Sequence, residues 1–186
     1  MRQARDQWRR AQAGWDGRKL VFLDETGATT KMTRLYGRAP RGERCISSTP
    51  YGHWKSTTFI AALRNRTVTA PMVMDGPMDG SAFLAYVREF LCPTLEPGDV
   101  VIADNLSSHK VAGVKEAIET VGATLRYLPP YSPDLNPIEQ LFSKLKTMLR
   151  KAGARTVETL WEEIGRLLET VSESECQNYF RAAGYV

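Results

Sequence analysis

The sequence predicts an α/β fold in which a mixed central sheet is flanked by helices. Residues 20–24 and 99–103 are mostly apolar at consecutive positions, which is typical of strands covered on both faces. Each of these segments leads into an aspartate, Asp24 or Asp104. The other predicted strands are interleaved with helical patterns, and this order of elements is characteristic of α/β domains.

Length and composition fit a single globular domain with a short N-terminal extension. Of the 186 residues, 42% are hydrophobic and 25% are charged, and the net charge of +4 is compatible with a polyanionic partner without requiring one. Cys45, Cys92 and Cys176 lie far apart, without the spacing of a disulfide framework or a structural zinc site. Neither a membrane span nor a signal-peptide pattern is found. We therefore expect a cytoplasmic protein.

Residues 1–19 are predicted to form a basic arm, either a short helix or an ordered extension. They combine six cations with Trp8 and Trp15. Two interpretations stay open, a solvated leader and a nucleic-acid contact. The predicted domain then occupies residues 20–186.

The next segment, residues 31–44, is basic and is interrupted by glycine and proline. It predicts two short antiparallel strands or a hairpin with a basic outer edge. Such an edge either discourages pairing with other chains or binds phosphates. Further strands are predicted at 57–63 and 68–74. The arginines of the basic segment are Arg34, Arg38, Arg41 and Arg44.

Helical periodicity resumes after residue 80. Ser81 is predicted to cap a helix that ends before Pro93. A second helix is closed by Gly122 at its C′ position, and a strand follows at 123–128. The apolar stripe of the first helix consists of Phe83, Tyr86, Val87, Phe90 and Leu91.

The stretch from Tyr127 to Glu139 contains four prolines, which fix the backbone path and then release it into a helix. Asn136 is predicted as the N-cap, Pro137 as the first helical residue and Glu139 as the third. On this window alone, Glu139 is interpreted as a capping-box residue that accepts the Asn136 N–H.

The predicted helix 136–151 carries a mixed-charge flank beside its apolar stripe. Two more helices follow, one capped by Thr156 and one by a capping box of Ser172 and Glu175. At 100° per residue, the flank of helix 136–151 is formed by Glu139, Ser143, Lys146 and Arg150.

Three carboxylates are candidates for a metal site. Asp24 and Asp104 follow strands that share an edge if they run parallel, and Glu139 begins a helix that must pack on the sheet. Without His or Cys partners these are hard oxygen ligands, suited to Mg²⁺ or Mn²⁺. Two such ions, about 3.5–4 Å apart, can promote phosphodiester displacement.

Three motifs carry a resemblance to a known family. They span Val21–Thr26, Ile102–Lys110 and Leu128–Glu139, and 34 residues separate Asp104 from Glu139. In these motifs and this spacing the chain resembles the catalytic domain of the IS630 branch of the Tc1/mariner transposase superfamily, which is of the DDE type with a ribonuclease H-like fold.

The resemblance implies a role for each matched residue. Asp24 would bridge two metal ions, and Asp104 and Glu139 would each hold one. The implied reaction is hydrolytic cleavage at transposon ends, followed by attack of the freed 3′-OH on target DNA. His109 has an alternative role as a cap of the following helix. The residues expected to position the substrate or the ligand-bearing side chains are Glu25, Asn105 and His109.

The resemblance also implies partners and a location. We expect the chain to act on transposon-end and target DNA, as a homodimer in the active complex and in association with the nucleoid. Full-length relatives carry N-terminal helix-turn-helix modules, so this chain resembles the downstream half of a split or frameshifted transposase, or a truncated copy. The candidate DNA contacts are Arg34, Arg38, Arg41, Arg44, Lys110, Lys144, Lys146 and Arg150.

Other functions remain compatible with the sequence. A nuclease of the same fold would cut DNA without strand transfer. A remnant or regulator of an intact transposase would bind DNA through its basic segments without catalysis. These segments can also be ordinary solvated surface.

Overall fold

The computed structural model describes residues 2–185, which fold around a five-stranded sheet. The strands are β1 (Leu20–Thr29), β2 (Ser56–Leu63), β3 (Val68–Asp75), β4 (Val100–Ala103) and β5 (Thr124–Tyr127). The helices are α1 (Arg2–Gln12), α2 (Gly80–Tyr86), α3 (Val114–Thr120), α4 (Ile138–Ala152), α5 (Val157–Glu169) and α6 (Glu173–Ala182). In the part of the chain described, none of these helices is long and apolar enough to cross a membrane.

The sheet is mixed, as predicted. Its strand order is β3-β2-β1-β4-β5, with β1, β4 and β5 parallel and with β2 antiparallel to both β1 and β3. Leu23 on β1 lies opposite Ala103 on β4. Because the two strands run in the same direction, Asp24 and Asp104, which follow this pair, lie at the same edge of the sheet.

Both faces of the sheet are covered by helices, which explains the continuous apolar runs of the central strands. Alternate residues of β1 face opposite cores, with Phe22 in one and Val21 and Leu23 in the other. The first core is completed by α4, α5 and α6, and the second by α2 and α3. Helix α4, which carries Glu139 in its first turn, is therefore packed directly on the sheet.

The predicted hairpin at residues 31–44 is wrong. β1 continues to Thr29 in a long pairing with β2, and residues 31–55 contain no strand. The base of this segment is closed where the Thr30 N–H donates to the Lys55 carbonyl at 3.1 Å. Glycine and proline interrupt the segment, and its side chains lack the alternating pattern that would bury one face of a hairpin. Most of its large apolar residues, including Tyr36 and Tyr51, are exposed.

The helix after residue 80 also departs from its prediction. Asp79, not Ser81, caps α2, because its Oδ1 accepts from the Ala82 N–H at 2.8 Å and from the Ser81 hydroxyl at 2.7 Å. Beyond Tyr86 the backbone widens into a π-helical turn. A π turn advances the side chains differently from an α turn. Phe90, predicted to be part of the apolar stripe, is accordingly 45% exposed.

The N-terminal residues form the predicted helix, and it packs against both the C-terminal turn and the proline stretch. The Trp8 Nε1–H donates to the Tyr185 hydroxyl at 2.9 Å, and the Gln12 side-chain amide donates to the Ala183 carbonyl at 3.0 Å. The Arg5 guanidinium binds both carboxylate oxygens of Asp134, at 2.8 and 2.7 Å. This helix therefore fixes the outer side of the proline stretch.

Three helix ends follow their predictions, namely the starts of α5 and α6 and the end of α3. Thr156 Oγ1 accepts from the Thr159 N–H at 3.2 Å, and Ser172 and Glu175 form a reciprocal capping box. Gly122 terminates α3 with a φ of +81°, in the left-handed region that favours glycine.

Replacing this glycine by alanine tests the turn that leads into β5. Gly122→Ala is expected to lower the free energy of unfolding by about 1–2 kcal/mol, since the new Cβ is strained at positive φ. It would also approach Pro97 Cα to 3.3 Å. Gly165→Ala is the matched control, because Gly165 lies in α5 with nothing within 4 Å. It should stabilise the protein by about 0.5–1 kcal/mol. Thermal denaturation measures both, and equal melting temperatures would contradict the assigned conformations.

Candidate active site

A cavity of about 420 Å³ opens where the β1–β4 pairing ends, after Leu23 and Ala103. Asp104 follows β4 as predicted, whereas Asp24 lies in the middle of β1, because β1 continues to Thr29 along β2. Four of the residues predicted from the sequence line it, namely Asp24, Asp104, Asn105 and Glu139. Asn136 lines it as well. Residues far apart in sequence thus meet at one cavity, as the parallel pairing requires.

Asp24 is the buried carboxylate of the site, only 6% exposed. Its Oδ1 accepts from the Glu25 N–H at 2.8 Å, and its Oδ2 accepts from the Asn136 side-chain amide at 2.7 Å. Burial, followed by the negative charge of Asp104, raises the pKa of Asp24 to about 7, and Glu139 adds to this effect. The site therefore disfavours a bare negative charge on Asp24.

Asn136 does not cap α4, so that prediction is wrong. A 3₁₀ turn at Pro133–Leu135 precedes the helix, and the Asn136 N–H donates to the Pro133 carbonyl at 3.1 Å. The helix then begins at Ile138 without a side-chain cap. Asn136 is only 3% exposed, and its side chain is directed to Asp24. The cap-like sequence concealed this role, since asparagine before Pro-Ile-Glu is the usual signature of a helix start.

The capping-box interpretation of Glu139 is wrong for the same reason. The Asn136 N–H is already bonded within the 3₁₀ turn. Glu139 lies exposed in the first turn of α4, and its carboxylate accepts no hydrogen bond from residues 2–185. Both of its oxygens thus remain available to a ligand in the cavity.

His109 is fully buried between two carboxylates. Its Nε2 lies 2.6 Å from Glu25 Oε2, and its Nδ1 lies 2.7 Å from Asp104 Oδ1. The imidazole also stacks on the Phe83 ring, with 4.3 Å between centroids. The alternative role of His109 as a helix cap is excluded, because α3 begins at Val114 after Gly113.

His109 and its carboxylate partners stabilise one another in their charged forms. Burial by itself would lower the pKa of His109, but Asp104 and Glu25 raise it to about 9. The imidazole is therefore cationic at neutral pH. Burial opposes ionisation of Asp104, yet hydrogen bonding by His109 and by the Leu106 N–H lowers the pKa of that carboxyl. These contacts use Asp104 Oδ1, and its Oδ2 has no hydrogen bond from residues 2–185.

Asn105 and Glu25 support neighbouring groups. The Asn105 amide donates to the Leu128 carbonyl and so ties the loop after β4 to the residue that follows β5. Glu25 holds His109 from the side opposite Asp104. Both were predicted as positioning residues from their motifs, although the particular partners could not be read from the sequence.

The donor set fits a hard divalent cation. Three carboxylates contribute to the cavity wall, and each retains oxygen lone pairs that no protein donor occupies. Within residues 2–185, no group of three or more His, Cys, Asp and Glu side chains is close enough to share one metal ion. The negative charges of Asp104 and Glu139 raise the pKa of Asp24, which shows that the three carboxylates repel one another when no cation lies between them.

Among the predicted DNA contacts, Lys144 forms an ion pair within the chain, whereas the others are at least partly exposed. Lys146 and Arg150 lie partly exposed on α4, and Lys110 is exposed with its ammonium 5.3 Å from the centre of the Tyr127 ring. Lys144 points elsewhere, since its Nζ lies 2.6 Å from Glu175 Oε1 on α6. Residues 31–55, which contain no strand, are called the irregular segment. The exposed arginines of the irregular segment are Arg34, Arg38, Arg41 and Arg44.

Comparison with known proteins identifies the family. The model of the DDE superfamily endonuclease family matches residues 19–161, and the chain belongs to this family. The DDE type predicted from the three sequence motifs is therefore confirmed. No curated protein matches the chain.

Solved structures of the Mos1 mariner transposase share the fold. A pre-cleavage Mos1 transpososome has a TM-score of 0.79 at 13% identity, covering 97% of this chain and 57% of that chain. A Mos1 paired-end complex with Mn has a TM-score of 0.76 at 14% identity, covering 97% and 56%. The Mos1 catalytic domain has a TM-score of 0.68 at 14% identity, covering 97% and 84%. The predicted ribonuclease H-like fold is thus confirmed, and this chain spans a little over half of the Mos1 chains in the complexes.

The raised pKa of Asp24 leads to a prediction about stability in the absence of metal. Its folded-state pKa of about 7 lies above the ordinary value of 3.8, so native stability falls as pH rises between these values. Asp24→Asn should therefore stabilise the metal-free protein by roughly 2–4 kcal/mol near pH 8 and by little near pH 4. The Asn136 amide can turn over, because its Oδ1 has no partner in the described chain and can accept from the new amide.

Asp104→Asn is the opposite-sign control, because the pKa of Asp104 is lowered. Its carboxylate stabilises the fold above the unfolded-state pKa, and this contribution is lost as pH falls. The substitution should destabilise the protein at neutral pH and do so less in acid. Chemical denaturation in EDTA across this pH range measures both. An Asp24→Asn curve parallel to that of the wild type would contradict the raised pKa.

Proposed function

We propose that this chain is the catalytic domain of a DNA transposase of the IS630 branch of the Tc1/mariner superfamily. It would cleave DNA at transposon ends and join the freed 3′-OH to target DNA. The observation that carries the proposal is the common cavity lined by Asp24, Asp104 and Glu139 at the edge of a DDE-family fold. The spacing of 34 residues between the last two acids supports it.

The cofactor proposed for this site is a pair of Mg²⁺ or Mn²⁺ ions. Asp24 would contact both, Asp104 would bind through its free Oδ2, and Glu139 would bind from the start of α4. When bound, such ions supply Lewis-acid activation of an oxygen nucleophile and charge stabilisation at phosphorus. One of the similar structures is a Mos1 complex with Mn, which supports a divalent cation for this chain.

The residues around the acids hold them in place. Asn136 donates to Asp24 Oδ2 and so fixes the rotation of that carboxylate. His109 holds Asp104 Oδ1 and is itself held by Glu25, which leaves the other oxygen of Asp104 free for a ligand. Hydrogen-bonding partners of metal ligands commonly orient the ligands in this way.

DNA is the proposed partner, both as transposon end and as target. The similar Mos1 structures include a transpososome and paired-end complexes, and this supports action on paired ends and a homodimeric active assembly. The exposed cations on the irregular segment and on α4 are proposed to bind phosphates. Lys144 would have to leave Glu175 before it could do so. Association with the nucleoid follows from this proposal.

Removing the acids tests the catalytic assignment. Asp24→Asn, Asp104→Asn and Glu139→Gln should each reduce Mn²⁺-dependent cleavage of transposon-end DNA by at least about 10³-fold, since each replaces an anionic ligand by a neutral amide. Asp134→Asn is the control, because Asp134 lies in the same proline stretch and does not line the cavity, and the amide oxygen of its replacement can still accept from Arg5. Undiminished cleavage by any of the three variants would remove that acid from the site.

Two further outcomes separate the alternative functions. With pre-nicked transposon ends, a transposase joins the 3′-OH to target DNA, whereas a nuclease of the same fold does not. The absence of Mn²⁺ binding by calorimetry, together with retained DNA binding, would favour a non-catalytic regulator.

Asn136 gives a more specific prediction. Asn136→Ala should weaken Mn²⁺ binding about 10- to 100-fold, because the Asp24 carboxylate loses the donor that orients it. Ser132→Ala is the matched control, since Ser132 is a buried residue lining the same cavity and its hydroxyl donates to the Pro130 carbonyl rather than to an acid. Isothermal titration calorimetry measures both. Equal Mn²⁺ affinities of Asn136→Ala and the wild type would show that Asp24 needs no such support.

A further inference from the structure

A second cavity, of about 340 Å³, lies between the irregular segment and the C-terminal half of α4. It shares no lining residue with the cavity that holds the acids. The segment contributes one cation and two large apolar side chains, and the helix contributes two cations and a threonine. The lining residues are Arg34, Leu35, Tyr36, Thr147, Arg150 and Lys151.

The irregular segment is held over α4 by a defined anchor. The Arg155 guanidinium, just beyond the end of α4, donates to the Thr30 carbonyl at 3.2 Å and to the Met32 carbonyl at 2.8 Å. The two ends of the segment also meet, since the Lys31 ammonium lies 4.3 Å from the centre of the Trp54 ring. These contacts fix the beginning of the segment, and Arg34 to Tyr36 follow directly.

The charge of the second cavity is of one sign. Arg34, Arg150 and Lys151 line it, and no acidic residue of the described chain does. None of these three cations takes part in an ion pair within residues 2–185. Three uncompensated cations around one cavity favour an anionic ligand.

The apolar side chains at the cavity narrow the choice of ligand. Tyr36 is 90% exposed and Leu35 is 65% exposed. A contact with the duplex backbone would use the cations alone and would leave the aromatic ring in water. Single strands, by contrast, are bound by cations that follow the phosphates and by aromatic rings on which bases stack.

The cavity also lies on a line that leads from the proposed active site. Lys146 and Arg150 share a helix flank with Glu139 and follow it by about 10 and about 16 Å along α4. Both side chains are partly exposed. A strand that leaves the acids along this flank reaches the second cavity after passing Lys146.

We propose that the second cavity binds an unstacked base of single-stranded DNA. Tyr36 supplies the stacking surface, and Arg34, Arg150 and Lys151 bind the neighbouring phosphates. The inference rests on the proposed function for its account of the DNA path. The experiments below distinguish a single-stranded base in the second cavity from a duplex backbone and from a second copy of this chain.

Binding of a fluorescein-labelled single-stranded oligonucleotide, measured by anisotropy in EDTA, tests the site without any cleavage. Tyr36→Ala should weaken binding about 10-fold or more and leave the salt dependence unchanged, because stacking carries no counterion release. Tyr36→Phe should retain the affinity, since it keeps the ring. Arg150→Ala should weaken binding and also reduce the salt slope by about 0.7, the value for one phosphate of a single strand.

Tyr51→Ala is the matched control, because Tyr51 is a fully exposed tyrosine of the same segment that does not line the cavity. Its affinity should equal that of the wild type. Equal losses for Tyr36→Ala and Tyr51→Ala, or no loss for Tyr36→Ala, would overturn the site. The site is also rejected if Tyr36→Ala weakens duplex binding as much as single-strand binding. Sedimentation in which Tyr36→Ala abolishes a dimer without changing DNA affinity would assign the cavity to a second copy.

Failure of this site and failure of the proposed function can be told apart. Loss of cleavage in the acid variants with a wild-type response to Tyr36→Ala would retain the catalytic site and reject the base-binding cavity. Single-strand binding that depends on Tyr36, in a chain that cuts no DNA with Mn²⁺, would retain the cavity and reject catalysis.

Discussion

Strands β1 and β4 pair in parallel, with Leu23 opposite Ala103, and the acidic cavity depends on this pairing. Asp24 and Asp104 belong to distant parts of the chain, yet each follows a residue of the same pair. An antiparallel arrangement would put the two carboxylates at opposite edges of the sheet. The parallel pairing itself requires a long crossover, which is supplied by β2, β3 and α2.

Bringing carboxylates together has an electrostatic cost, and the neighbouring residues reduce it. The His109 imidazolium lies between Glu25 and Asp104, so one buried cation serves two anions. Asp24 has no such cation, and its pKa is raised to about 7. The hydrogen bond from the Glu25 N–H lowers the pKa of Asp24 and only partly offsets burial. This unbalanced acid is the part of the site that a divalent cation would neutralise, at the expense of stability in the metal-free protein.

The proline stretch has a different purpose from the one its sequence suggests. The 3₁₀ turn at Pro133–Leu135 accepts the Asn136 N–H at the Pro133 carbonyl. Neither the Asn136 side chain nor Glu139 therefore serves as a helix cap. Arg5 of α1 holds the outer side of this stretch through Asp134. The segment that positions the third acid is therefore restrained from the N-terminal helix on one side and through Asp24 on the other.

The sequence by itself determined the presence of the central strands, the three acids with their spacing, the DDE family and the helix ends at Gly122, Thr156 and Ser172. These follow from local rules, since apolar runs, caps and glycine at positive φ act over a few residues. Only the tertiary structure decided the roles of Asn136 and His109, because a side chain chooses among competing partners that folding brings together. It also decided that residues 31–55 form no hairpin. With no alternating apolar face, the contacts of Arg155 with Thr30 and Met32 set the course of that segment over α4.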